Sequence, residues 1–400
     1  MNQKTLTLLL AATLVVGGLA ALKISSDSAA VSSSTSNAKL LPELDKKVNE
    51  IASITLQRKD GTATLVRDAS GGWGLAEKEG YPVDASAVRQ SLLALAEMTP
   101  LEEKTDDPSR YEKLGLQAPD AEGSTSTLVT VKDKSGAEIA KVLVGKQSEA
   151  HGGMPSGNTY VRRGDEKVCW LAKGSPELKD KPTDWLKKQI LEVKRDRIQS
   201  VEVKHADGEL VQVQRAKPED ANFDLAGIPE GQELSYPTVA GSLAGALEYL
   251  NLEDVLPADK VDFTKDPGPT SEFRTFDGLK VTVHVKDEGD KCYARFEVAY
   301  EAPPQVGPAP EPAPSAEGAM PEEQAEEAKK SPEEVKKEAS ELQERLSKWA
   351  YVIPAYSKAF FEKHMKELVK AKTPPPAPPE APNSAETTPA DEHPADEKPH

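Results

Sequence analysis

"IASITLQRKDG" occupies residues 51–61, and "IQSVEVKHADG" occupies residues 198–208. Each reads as a strand alternating apolar and polar residues that runs into an Asp-Gly turn. Alternation at a period of two buries one face of a strand, and Asp-Gly between such runs is the strongest short hairpin signal. The stretch after each opening also repeats. "WGLAE" (73–77) is answered by "FDLAG" (223–227), and "VDASAVRQSLLALAEM" (83–98) by "TVAGSLAGALEYLNLED" (238–254). That second match carries Val88 onto Val239, Ser91 onto Ser242 and Leu92 onto Leu243. Matched apolar positions in matched order predict a tandem duplication. The expected fold class is α+β, with two duplicated domains over 49–195 and 196–371. Each is a mainly antiparallel β-sheet with helices packed on it.

Within the first copy, Val88, Leu92 and Leu95 share one face of a helix whose N-cap is Asp84. Hairpins follow over "TLVTVKDKSGAEIAKVLVG" (127–145) and "YVRRGDEKVCWL" (160–171), and a helix ending in "TDWLKKQIL" (183–191) closes the copy. In the second copy "VHVKDEG" (283–289) aligns with "VTVKDKSG" (129–136), and "CYARFEVAY" continues the ladder. An insertion at 302–347 takes the place of "YVRRGDEK". Its Pro- and Glu-rich part, 302–330, has no apolar period and so buries nothing. The helix after it starts at Ser331 and Pro332 and carries Val335, Ala339, Leu342 and Leu346 on one stripe. "WAYVIP" (349–354) resumes the sheet, "YSKAFFEKHMKELVKA" (356–371) reads as the closing helix, and 372–400 as a disordered, Pro-rich acidic tail.

The N-terminal segment 1–23 carries Lys4 and then no charge from Thr5 to Leu22. A helix of that length spans about 27 Å, enough for the hydrocarbon of a bilayer. It reads as a transmembrane anchor or a signal segment, and either exports the chain beyond it. Residues 24–48 read as a flexible tether. With 400 residues and a net charge of −17, the chain repels nucleic-acid phosphates and anionic headgroups, so no nucleic-acid partner is expected. Cys169 and Cys292 fall one in each copy, and either a disulfide or two buried thiols fits their spacing.

No catalytic, cofactor-binding or metal-ligating residue is nominated, and no cofactor is expected. The six His (151, 205, 284, 364, 393 and 400) show no pair at ligand spacing along the chain. "GKQSEAHGGMPSG" (145–157) lacks the ending of a phosphate loop and reads as a hairpin connection. Ser91 and Ser242 read as helix-packing residues, and His284 as a strand residue facing away from Val283 and Val285. The loops "TDDPSRYEKLGL" (105–116) and "DKVDFTKDPGP" (259–269) occupy equivalent places, as connectors or ligand loops.

"SITLQRKDGTATLVR", "GGWGL", "YPVDASAVRQSLLALAEMTPLEE" and "DPSRYEKLGL" resemble a bacterial domain-of-unknown-function family of membrane-anchored exported proteins. The genes of that family often lie beside gliding-motility-type ABC transporters. The resemblance runs over about residues 50 to 370, strongest from 51 to 146, and its motifs are structural. It implies a non-enzymatic accessory or scaffold protein of an ABC-transporter-type envelope complex, held by a single N-terminal anchor in the inner membrane with its bulk in the periplasm. The alternative is an exported hydrolase of envelope polymers whose active site carries no recognisable motif. A reporter active only outside the cytoplasm, fused after residue 50, is expected to work, and the native protein to resist carbonate extraction. Loss from the membrane with reporter activity kept would mark a cleaved signal.

Overall fold

The computed structural model describes residues 38–149, 154–303 and 330–372. Strands β1 (Ile51–Arg58) and β2 (Gly61–Arg67) form the first hairpin, pairing Ile54 with Leu65 and Leu56 with Ala63. These four side chains are buried because all sit on one face of the pleat. The sheet grows through β3 (Trp73–Leu75) and β4 (Tyr81–Pro82) on one side. An edge strand β5 (Thr99–Thr105), then β6 (Thr127–Asp133), β7 (Glu138–Glu149), β8 (Pro155–Arg163) and β9 (Cys169–Lys173) complete it. The order is β4-β3-β2-β1-β6-β7-β8-β9-β5, with antiparallel neighbours. The helix Ala85–Glu97 lies on this sheet, capped by the Asp84 carboxylate, which accepts from the N–H groups of Ser86 and Ala87. Its Val88, Leu92 and Leu95 face Ile54, Leu56 and Val129 across a small apolar gap.

A linking segment with a short strand, β10 (Gln189–Leu191), leads to the second sheet. This sheet contains β11 (Ile198–Lys204), β12 (Leu210–Gln214) and β13 (Asp224–Leu225). The chain then passes through two ribbon strands, β14 (Gln232–Leu234) and β15 (Leu250–Asn251), before β16 (Asp254–Pro257). Next come β17 (Thr270–Thr275), β18 (Leu279–Glu288), β19 (Lys291–Tyr300) and β20 (Trp349–Ile353). Its order is β13-β12-β11-β17-β18-β19-β20-β16. Position by position this is the order of the first sheet without β4. A side-chain contact recurs as well. The Arg67 guanidinium lies 5.1 Å from the Trp73 ring, and that of Arg215 4.8 Å from the Phe223 ring.

One apolar core runs through both sheets, and the linking segment is what joins them. Asp84 N donates to Trp185 O at 2.8 Å and Lys187 N to Pro82 O at 2.9 Å, tying the segment to the first half. On the other side Leu252 N donates to Lys188 O at 2.9 Å, Val193 N donates to Leu247 O at 3.1 Å, and β10 pairs with β15. Trp185, Leu186, Ile190, Leu191 and Val193 are all buried. Tyr81 adds an edge-on contact to Trp349 at 5.1 Å, and Lys78 pairs with Asp254 at 2.6 Å.

Several sequence expectations are corrected. Residues 183–191 are not a helix: a 3-10 turn, Pro182–Trp185, gives way to β10, because the backbone finds partners on both flanks. The expected closing helix 356–371 breaks into Ala355–Phe361, Met365–Leu368 and a last strand β21 (Val369–Ala371), which pairs with β14. The helix expected at 238–254 is helical only over Val239–Ala244. Gly241 within it leaves room for the Arg195 guanidinium, which a Cβ would meet at 2.3 Å. The tether 24–48 ends early, since Leu40, Leu41 and Leu44 are buried and Leu40 N donates to Met98 O at 2.7 Å. "VHVKDEG" lies on β18, which holds the place of β7 rather than β6. The strand in the place of β6 is β17, unrecognised in the sequence, and the β17–β18 turn is at Asp277-Gly278. Gly278 has φ 94°, and a Cβ there would meet Glu301 O at 2.7 Å, so only glycine fits.

The insertion comes after β19 and before β20, the place of the β8–β9 turn, and displaces no strand. Its helix, Pro332–Leu346, begins with a capping box between Ser331 and Glu334. Val335, Ala339 and Leu346 are buried in the chain's own core, with Leu342 packed partly against it. β19 pairs with β20 only from Cys292 to Ala294. Beyond that the Gln343 side-chain oxygen accepts the Val298 N–H at 2.6 Å, so the helix covers an otherwise open strand edge. Arg197 bridges Asp277 and Glu338, both at 2.9 Å, and Arg345 donates to Ile190 O at 2.7 Å. Among the described residues no helix is long and apolar enough to cross a membrane. The Thr5–Leu22 segment, the Pro-rich stretch 304–329 and the tail from 373 lie outside them.

This packing sets two expected outcomes. Leu346→Ala should cost about 2–5 kcal/mol of stability, and the Leu342→Asp, Leu346→Asp pair more, read by thermal or urea unfolding of the full chain. Burial also pushes the Tyr81 hydroxyl up to about 12. The unfolded chain then releases this proton at lower pH than the folded one, so stability is lost as pH climbs from about 10 to about 12. Tyr81→Phe should flatten that decline, seen as urea midpoints compared at about pH 9 and about pH 11.

Candidate functional site

The polar residues that stand out in the sequence mostly find structural work. Ser91 Oγ donates to Glu177 O and Ser242 Oγ to Val239 O, both at 2.6 Å. Each is a hydroxyl satisfied by backbone. His284 is half-buried with Nδ1 3.2 Å from Thr270 Oγ1, and burial holds its pKa below the ordinary imidazole value. Both cysteines are free and buried. Burial pushes the Cys292 thiol up to about 12, which keeps it protonated and unreactive.

The two loops serve as connectors. In 105–116 the Tyr111 and Leu116 side chains pack on Leu143 and Cys169, and Tyr111 Oη donates to Lys167 O at 2.7 Å. The loop sits so close to β7 that a Cβ at Gly145 would meet Leu114 O at 2.5 Å. In 259–269 Val261 is buried and Lys286 Nζ donates to Asp262 O at 2.6 Å. Of the run 145–157, residues 150–153 lie outside the described residues.

Two surface features stand apart from this packing among the described residues. The first is a solvent-open groove of about 700 Å³ between the outer face of β18–β19 and the insertion helix. Lys280, Thr282, Arg295, Glu297 and Glu301 line its sheet wall, with Gln343 and Ser347 opposite. Its charges are paired: Arg295 with Glu297 along β19 at 2.5 Å, Lys280 with Glu272 of β17 at 2.9 Å, and Arg274 with Glu301 at 2.6 Å. Such a wall is polar, near neutral in charge, and broad. It can take an extended polar chain but does not enclose a small substrate.

The second is a cluster that sequence reading missed. His205 and Glu209 flank the Ala206–Gly208 turn of the β11–β12 hairpin, and His364 arrives from the break in the closing segment. One donor atom from each of the three residues lies within 4.8 Å of the others. The imidazoles of His205 and His364 stack at 4.0 Å with 16° between planes. His205 Nε2 donates to Lys363 O at 3.1 Å, His364 Nδ1 contacts Glu209 Oε2, and Met365 N donates to Glu209 Oε1 at 2.7 Å. The hydrogen bond from His364 and then that from Met365 hold the Glu209 carboxyl below its ordinary pKa. The expectation of no ligand-spaced His pair is true of the chain's linear order and does not hold in space. In the folded chain the hairpin of the first sheet also touches its own closing segment, through Arg58 and Asp180 at 2.8 Å, and neither meeting leaves a spacing signal in the sequence.

Similarity to known proteins bears on the frame rather than on either feature. Residues 73–270 match DUF4340, a domain of unknown function, so a DUF4340 domain is present in the chain. The match starts at β3 of the first sheet and ends at β17 of the second, taking in the linking segment whole. Among curated proteins none matches the sequence.

Proposed function

We propose that this chain is a non-enzymatic accessory protein, exported and tethered by residues 1–23 to the inner membrane, acting as a scaffold or auxiliary component of an ABC-transporter-type envelope complex. The observation that carries the reading is the groove beside the insertion helix. It is open, polar and already charge-paired, the character of a surface that receives another protein's segment in a standard polar interface. The DUF4340 match supports the domain-of-unknown-function part of the resemblance. The charge-free stretch Thr5–Leu22 supports the tether. The two sheets are read as a tandem duplication, on the strength of their common strand order and the recurring Arg–aromatic contact. On this reading the second copy became the recognition half when it acquired the insertion helix and with it one wall of the groove.

The test is site-specific photocrosslinking in intact cells of the native host. A crosslinker at Thr282 should give an adduct with an integral-membrane transporter subunit. The same group at Leu93, exposed on the helix of the first half, should not. Reversing the groove with Arg295→Glu should weaken the Thr282 adduct and leave the melting temperature within a few degrees, as expected of an exposed ion pair. Equal labelling from both positions, or no protein adduct from the groove, would remove the proposal.

A further inference from the structure

We infer that His205, Glu209 and His364 form a binding site for a borderline divalent metal ion of the zinc class. The donor set carries the choice of ion: two imidazole nitrogens and one carboxylate suit zinc and its neighbours, whereas magnesium and calcium prefer oxygen throughout. The distances allow it. Metal bonds of about 2.0–2.1 Å at tetrahedral angles put donor atoms about 3.4 Å apart, so the widest separation, within 4.8 Å, has to close by little more than 1 Å, while the hydrogen-bonded His364 Nδ1 and Glu209 Oε2 part as the ion replaces the proton between them. The His364 and Glu209 side chains are 33% and 30% exposed, so solvent reaches the cluster. Two of the ligand groups are also oriented from behind. The Lys363 carbonyl holds the His205 ring and the Met365 N–H holds Glu209, the supporting contacts that metal ligands characteristically have. Three protein donors leave one coordination position for water.

Comparing the two halves of the molecule favours a ligand over a plain ion pair. The hairpin of the first sheet is fastened to its closing segment by the Arg58–Asp180 ion pair. At the same place the second half has two stacked imidazoles, of which His364 contacts the Glu209 carboxylate. An ion pair needs only one of those rings. A metal ion bound there joins the β11–β12 hairpin to the segment between Phe361 and Met365, fixing the strand β21 that follows.

The experiment uses the full chain stripped with a chelator and titrated with Zn(II), and separately with Co(II). One equivalent should bind, the melting temperature should rise with Zn(II), and Co(II) should give visible absorption bands of a four- or five-coordinate centre. His205→Ala should weaken binding by more than about 100-fold, since even supporting residues of metal ligands are worth 10–100-fold. Glu209→Gln keeps the shape and the bond from Met365 while removing the charge, and should weaken binding similarly if the alanine variant fails to fold. His151, His393 and His400 provide an internal control, because binding through them is untouched by either change. Equal Zn(II) affinity in the wild type and both variants, or a wild-type melting temperature indifferent to Zn(II), would overturn the site and leave a hydrogen-bonded latch.

Discussion

Everything in this structure depends on the linking segment from Trp185 to Val193 being shared between two sheets. A buried backbone must place each N–H and C=O, because an unpaired one costs about as much as a lost hydrogen bond. This segment is met from one side by Pro82 and Asp84 and from the other by Leu247 and Leu252. Its apolar side chains go to a single core that neither sheet would complete alone. Arg345 of the insertion helix donates to Ile190 O in the same segment. The insertion helix, the second sheet and the first therefore brace one stretch of chain. The DUF4340 match contains that stretch entire.

Two otherwise parallel sheet frames acquire different surfaces from their short connections. Where the first half turns at Gly164 between β8 and β9, the second carries a helix that covers the open edge of β19 and builds a groove wall. Where the first hairpin is held by one arginine and one aspartate, the second brings together two imidazoles and a carboxylate. Neither change disturbs strand order, since both lie at turns or ends where the ladder has no claim on the side chains. The groove and the His–Glu cluster thus both lie on the second half.

Much of the architecture could be read from local pattern. Asp60-Gly61 and Asp207-Gly208 announced hairpins, Asp84 and Ser331 announced helix starts, and the stripe Val335, Ala339, Leu346 found the core it required. These signals concern neighbours within a few residues, where steric and hydrogen-bonding preferences act directly. The misreadings share another cause. Residues 183–191 and 369–371 look helical by composition, yet each pairs with a strand far away, and β17 lacks a clean apolar run. Distant pairing overrode weak local preference.

The groove and the His–Glu cluster divide along the same line. By itself the sequence determined two alternating hairpin openings, the insertion helix with its buried face, and an acidic chain behind an apolar N-terminal stretch. Only the tertiary structure decided that the insertion helix lies along β19, so that Gln343 meets Val298 and a groove opens beside it. Only it brought His364 to His205, since residues so far apart in the chain carry no spacing that could betray a shared ligand. Periodicity and turn chemistry are local and survive in one dimension. Convergence of side chains depends on how the strands close, and β11, β12 and the broken closing segment meet only after both sheets have formed.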